Sequence, residues 1–433
     1  MMFSAKLPPD WSLTTIEPNR SLPLPGLRLA TEAALAEPLQ SQRLRDLATP
    51  DARVCIVFTD ATRACPDHVL VPALLSELQA AGVRDEKITL LCATGLHRPS
   101  TRDEKIAKLG QAVVDRYRVI DHDPHNSVML RREATRNLHF DLEHLPIGAE
   151  IPRFARNDTE ALIIATGVVE PHQYAGYSGG GKTVVIGCGD EATISFTHGP
   201  QYLDHPGVRL GKVDGNPFQQ FVRDRARQIG LKFVVNVVLD GNGQAIAVRA
   251  GDPIAVHDEL IRVARSIYEV EVPQSYDVVI AKVDPPKDVN LYQASRAPTY
   301  IGLSATPPIR SGGVIIVEAR CPEGAGQGMG EQRFLNALAQ ASDLRQRLND
   351  FRANGCRAGE QRAFMLAQVL LKHDVIVVGS ECPDVVRACK MIAADSIDDA
   401  IERARRTIGT AARVLYLPHP LHTLPIVHPL SAF

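Results

Sequence analysis

Lys182 follows three consecutive glycines, with His172 ten residues before it and His198 sixteen residues after it. Those residue types suit one kind of centre. A lysine amine pairs with a phosphate or, when its lone pair is free, forms a covalent link to a cofactor. Imidazole binds nickel, zinc or copper and is the side chain best matched to proton transfer near neutrality. Gly179, Gly180 and Gly181 allow the backbone to approach a bulky ligand and offer amides to an anion. Three further groups carry chemistry. Asp60 and Arg63 share the turn TDATR, His97 stands in ATGLHRP, and Tyr292, Gln293 and Arg296 fall within one helical turn of NLYQASR. The arginine is suited to bidentate capture of a carboxylate.

Two familiar patterns overlap in the glycine segment. The run 176–183 satisfies GxxxxGK[ST], the phosphate-binding loop of nucleoside triphosphatases, and 187–192 satisfies GxGxxA, a dinucleotide fingerprint. Their context is poor. A phosphate loop leaves a buried strand directly and enters a helix, whereas Glu170-Pro171-His172-Gln173 intervenes and 183–186 reads as β-like. Asp204 comes early for the ribose acid of a dinucleotide site. A nicotinamide-dependent oxidoreductase and a nucleotide-binding module stay open as alternatives at this point.

The elements that must hold these groups are short β-branched runs at 54–58, 88–91, 161–164, 233–239, 278–281, 313–317, 375–378 and 413–417. Helical patterns are expected at 67–81, 258–268, 331–351, 359–372 and 397–407, and Thr101 with Glu104 makes a capping box. Strands alternating with helices predict an α/β chain with largely parallel sheets, whose ligand sites lie in the loops after strand ends. Asp60, Arg63 and His97 sit in such loops. The polar, proline-containing link near 270–276 marks a domain boundary, and a second break falls near 409–412. The prolines after Leu417 predict an extended tail.

The bulk properties agree with a globular protein of 433 residues, enough for two or three domains. Apolar residues make up 45% and charged residues 23%, and 48 Lys plus Arg against 50 Asp plus Glu leave a formal charge of −2. That balance speaks against a nucleic-acid partner bound through a broad basic field. No apolar run is long enough for a membrane span and the start carries no signal-peptide pattern, so a cytoplasmic location is expected. Eight cysteines without a CxxC pair fit reduced thiols.

In order along the chain, TDATR, ATGLHRP, EPHQYAGYSGGGK with its later histidine, NLYQASR and GGVIIVEARCPEGAG together resemble the nickel-dependent lactate racemase family. The resemblance runs from Thr59 through most of the chain. It implies two α/β domains with the active site in the cleft between them: a cofactor-binding domain at 1–272, to which the tail 411–433 returns, and a second domain at 273–410. It implies a nickel-pincer nucleotide, a pyridinium mononucleotide with thioamide and thiocarboxylic arms, attached at Lys182, with His198 as the protein ligand to nickel. By the same resemblance His97 and His172 form the acid/base pair, and Asp60 and Gly179–Gly181 lie around the cofactor. Arg63, Tyr292, Gln293 and Arg296 meet a 2-hydroxy carboxylate substrate. Cofactor-synthesis proteins are implied as transient partners.

Such a cofactor explains the residue types. The Cα hydrogen of a 2-hydroxy acid is scarcely acidic, and hydride acceptance avoids a carbanion while a histidine handles the hydroxyl proton. The outcome is racemisation or epimerisation through a 2-keto acid. Three features depart from lactate-type members: Gly181 replaces the arginine of GGRK, Arg296 replaces a lysine, and Gln361 stands where an aromatic residue is usual. The sole Trp, Trp11, is far from that motif. These departures predict a more polar or broader substrate pocket.

Overall fold

In the computed structural model, which describes residues 3, 5–124 and 161–428, the β-branched runs become the inner strands of two six-stranded sheets. The first sheet has the spatial order Arg118–Asp121, Ile88–Ala93, Val54–Thr59, Leu162–Val168, Leu231–Leu239, Ala245–Gly251, parallel except for the last pair. The central strands Val54–Thr59 and Leu162–Val168 are buried along their whole length. That is why they read as continuous apolar runs rather than as alternating ones.

The second sheet is wholly parallel, in the order Trp11–Thr15, Ala412–Leu417, Tyr276–Lys282, Ile309–Glu318, Asp374–Val378, Ile392–Ala394. Its first strand gives no periodic signal in sequence, because it is an edge strand with only Trp11 buried. In the tail, Ala412–Leu417 lies inside the second sheet, His422 stacks on Tyr268, and Leu424–Val427 pairs with Glu269–Val272. Residues 429–433 of that tail lie outside the described residues.

Helices cover both sheets, and their ends follow local chemistry. Thr101 and Glu104 form the expected capping box, each side chain accepting the other's backbone N–H. The helix expected over 331–351 is two, Met329–Ala339 and Leu344–Asn354, because the Asp343 side chain accepts the Arg345 N–H and starts a new one. One buried cluster runs from the first sheet into the second, joining Val169, Tyr174 and Val184 to Tyr276, Leu291, Phe334 and Phe364. No helix among the described residues is long and apolar enough to cross a membrane.

Both sheets contain a point where the chain turns from one direction to the other. In the first, Val54–Thr59 continues outward to Ile88–Ala93, while its neighbour Leu162–Val168 continues the opposite way to Leu231–Leu239. In the second, the reversal lies between Tyr276–Lys282 and Ala412–Leu417. Loops diverge at such points and leave a crevice at the carboxyl ends of the strands.

Candidate active site

The first sheet delivers three groups to its crevice. Asp60 and Arg63 follow Val54–Thr59, His97 follows Ile88–Ala93, and His172 lies in a two-residue ladder with Gly176–Tyr177 just beyond Leu162–Val168. Asp60 and Arg63 do not pair as a capping ion pair. The Asp60 carboxylate instead accepts from Thr62 Oγ1 at 2.7 Å and meets His97 Nδ1 at 2.6 Å. Burial pushes this carboxyl up, but His97, Thr62 and the Arg63 charge outweigh it and hold it below its ordinary value. An ionised Asp60 fixes the proton of neutral His97 on Nδ1, leaving the Nε2 lone pair for substrate.

Beneath these turns lies a residue that sequence reasoning assigned only to a helix start. Asp67 is fully buried, accepts from Thr59 and Thr166 at 2.6 and 2.5 Å, and pairs with Lys108 at 2.7 Å. Lys108 also donates to the Arg63 and Cys65 carbonyls. The network ties two central strands to the turn that carries Asp60 and Arg63. No short motif announces it, since Lys108 is 41 residues away along the chain.

His172 is held in the opposite sense to His97. Its Nδ1 accepts the backbone N–H groups of Tyr174 and Ala175 at 3.2 and 3.1 Å. The proton of the neutral ring is therefore on Nε2. Burial first, and then the charges of Lys182 and Arg63, push its pKa well below the ordinary histidine value. The two histidines assigned to acid/base work are thus inequivalent.

Lys182 opens the one-turn helix Lys182–Val185. The segment 183–186, read as β-like, is helical because Val184 and Val185 turn inward while Thr183 Oγ1 bonds the Thr166 carbonyl at 2.9 Å. With no strand before Gly187, the dinucleotide pattern loses its context, and the phosphate-loop pattern likewise follows no strand directly. The glycines before Lys182 are explained largely by packing. An added Cβ would lie 2.5 Å from Val169 at Gly179, 3.0 Å from His257 at Gly180 and 2.5 Å from Ala226 at Gly181. Lys182 has no ion-pair partner among the described residues, and burial together with Arg63 lowers its pKa to about 7. An appreciable fraction of such an amine is uncharged and nucleophilic near neutrality.

His198 ends the helix Glu191–Thr197, which Asp190 caps. Its Nδ1 lies 2.9 Å from the Ile194 carbonyl and 3.0 Å from Thr197 Oγ1, so Nδ1–H donates to the carbonyl and Nε2 keeps its lone pair. The ring packs edge-on against Tyr174 and Phe218 at 5.0 and 5.3 Å, and Tyr174 packs in turn on His172 at 5.6 Å. Burial and the Lys182 charge lower the His198 pKa to about 3. A neutral imidazole oriented through its second nitrogen is the form that binds a metal. Among the described residues no three His, Cys, Asp or Glu side chains gather around an ion. The free Nε2 of His198 and the amine of Lys182 are the groups here that could hold a metal-bearing cofactor.

The second sheet brings Lys287, just beyond Tyr276–Lys282, and the short helices Leu291–Ala294 and Arg296–Gly302. Arg296 lies within electrostatic reach of Lys182, His172 and Arg63 from the first unit. Among the described residues, Gln293 Oε1 and Arg296 Nε are buried with no hydrogen-bond partner, as are Tyr174 Oη and both amide atoms of Gln173. Tyr292 is stacked edge-on against Phe334 at 5.6 Å. Gln361 turns back to accept the Gly359 N–H. The next residue, Arg362, enters the cluster instead, with its guanidinium 5.0 Å above the Tyr292 ring. Arg362 was missed because a charged residue beginning a helix ordinarily reads as solvated. Ion pairs Arg333–Glu191 and Arg352–Asp204, at 2.9 and 2.8 Å, clamp the two units beside the cleft.

Comparison with known proteins bears on the family and the fold of the chain. Residues 1–211 match the model of the lactate racemase N-terminal domain, and residues 272–424 match that of the lactate racemase C-terminal domain. The chain is 30% identical over 396 residues to the lactate racemase of Lactiplantibacillus plantarum, covering 90% of this chain and 89% of that one. It is 27% identical over 386 residues to the lactate racemase of Thermoanaerobacterium thermosaccharolyticum, covering 89% and 87%. The structure of the lactate racemase apoprotein from the latter organism superposes with a TM-score of 0.81 at 25% identity, over 92% of each chain. A Thermotoga maritima protein shares the fold, with a TM-score of 0.65 at 17% identity over 93% of this chain and 98% of that one.

Proposed function

The chain belongs to the lactate racemase family and is an isomerase of the racemase type; from that premise we propose that it racemises or epimerises a 2-hydroxy carboxylate with a nickel-pincer nucleotide tethered to Lys182. One observation carries the reading: a lysine whose pKa lies at about 7, without an ion-pair partner among the described residues, stands within electrostatic reach of a neutral histidine whose Nε2 is unpartnered there. When bound, the nucleotide supplies a reversible acceptor for the Cα hydrogen as hydride. Lys182 would hold it covalently and His198 Nε2 would ligate its metal.

The remaining work belongs to the chain. Arg296 and Arg63 hold the substrate carboxylate and fix the pivot about which the planar ketone of the 2-keto acid rotates. His97 Nε2 takes the hydroxyl proton of one enantiomer, and the Asp60 carboxylate stabilises the imidazolium that results. His172 serves the hydroxyl presented on the other side. It starts as an Nε2–H donor, so acting as base requires a change of tautomer and loss of its two amide contacts, each worth about 0.5–1.5 kcal/mol. Tyr174 and Phe218 keep water from the rings of His172 and His198.

The test is a panel of enantiopure 2-hydroxy acids with protein produced alongside the cofactor-synthesis proteins, followed by optical rotation. Loss of rotation without net oxidation is expected for at least one acid. Turnover that requires a nicotinamide cofactor would overturn the reading.

A further inference from the structure

Resting on the racemase reading, we propose that the substrate is a 2-hydroxy dicarboxylic acid, whose second carboxylate is held by Arg362. Arg362 is 6% exposed, yet its Nε and Nη1 atoms are buried without a hydrogen-bond partner among the described residues. Its contacts with Tyr292, ring stacking and a side-chain hydrogen bond, still leave Nε and Nη1 unanswered. Leaving charged donors buried and unpaired is among the costliest arrangements a fold keeps, and it persists where a ligand completes it.

Among the described residues no carboxylate pairs with Arg362: Glu170 acts on Lys182, Lys287 and Tyr300 but is not among the groups acting most on Arg362 or Arg296. The charged groups acting most on Arg296 are Arg362 and Arg63, and the other groups acting on it are Tyr300 and Tyr292. Those acting on Arg362 are the hydroxyls of Tyr174, Tyr292 and Tyr300. Asp60 is engaged by His97, and no ion pair is recorded for Arg63, Arg296 or Arg362 among the described residues. Its stacking on Tyr292 sets Arg362 beside the helix Leu291–Ala294 that carries Gln293, and its charge also reaches His198 and Lys287. One carboxylate, bound by Arg296 with Arg63, leaves Arg362 without an anion. A second carboxylate on the substrate side chain supplies one, in the bidentate geometry that guanidinium favours. A methyl group, as in lactate, would leave the Arg362 edge dry and unpaired.

The experiment compares kcat/KM of the cofactor-loaded protein for lactate, 2-hydroxysuccinate and 2-hydroxyglutarate. Calorimetry on the apoprotein with glutarate, succinate and propionate runs beside it. We expect the better diacid to exceed lactate by about 100-fold, and Arg362→Gln to remove about 100-fold from the diacid while changing lactate less than about threefold. Adduct mass and nickel content should be unchanged in the variant. Equal or better turnover of lactate by the wild-type protein, which needs no variant to measure, overturns the inference and leaves the racemase reading intact. An equal loss for both substrates, or loss of the adduct, overturns it too, by assigning Arg362 to the nucleotide or to structure. Glutarate binding to the apoprotein that disappears in Arg362→Gln, in a protein that racemises no acid, upholds the diacid site and overturns the racemase reading instead.

Discussion

His97 Nδ1 lies 2.6 Å from Asp60 Oδ2, joining the turns that follow two adjacent parallel strands of the first sheet. The contact makes His97 a base with a fixed tautomer, since the carboxylate occupies one nitrogen and the other remains free. His97→Asn should lower kcat by about 10²–10⁴-fold, and Asp60→Asn by at least about tenfold, with adduct and nickel retained. For enantiomers the equilibrium constant is one, so kcat/KM must fall equally in both directions. Steady-state rates from each enantiomer check both statements, and retention of full activity in Asp60→Asn would contradict the pairing.

His172 should behave differently. With two amides donating to Nδ1, nitrogen-15 spectra should show the neutral Nε2–H tautomer, still unprotonated well below pH 6.5. The sign for stability follows. The folded pKa is depressed, so the contribution is complete above the unfolded value of about 6.5 and is lost as pH falls toward the folded one, at up to about 1.4 kcal/mol per pH unit. His198 and His257, at about 3 and about 4, act in the same sense. Thermal stability should therefore decline from pH 6.5 toward pH 4. A His172 that titrates at its ordinary value would contradict the geometry.

Lys182 should react with small amine reagents around neutrality, with a midpoint near pH 7, whereas exposed lysines respond near pH 10.4. Peptide mapping after brief reductive methylation at a series of pH values measures this. Lys182 labelling that rises only with the bulk lysines would show that burial and Arg63 do not lower its pKa.

Asp67→Ala should destabilise the protein by about 3–5 kcal/mol, because it strands the Lys108 ammonium in a buried site. Denaturant unfolding reports the loss, and Asp67→Ala with Lys108→Met should recover part of it. A change below about 1 kcal/mol would mean that the network does not hold the strand ends together.

Much of the fold was legible because buried parallel strands are continuous β-branched runs, as at 54–58 and 278–281. Trp11–Thr15 was not, since an exposed edge strand has no apolar pattern and its partner, Ala412–Leu417, lies some 400 residues away. The candidate site was legible where residue types are rare in combination, as with His172, Lys182 and His198, which the fold brings near one another. The roles of the glycines were not, because the contacts that fill the space beside them come from Val169, Ala226 and His257 on other elements. Arg362 and Asp67 escaped for a related reason. Each looks like an ordinary helix-start residue until tertiary packing removes its solvent.

The central claim is that Lys182 carries the cofactor and His198 its metal, and intact-mass measurement with nickel analysis tests it most directly. Protein made alongside the cofactor-synthesis proteins should show a nucleotide-sized mass adduct and bound nickel. Lys182→Ala should lose the adduct, and His198→Ala should keep the adduct while losing most of the nickel. Wild-type protein with neither adduct nor nickel under those conditions, or an adduct that survives in Lys182→Ala, would contradict the account.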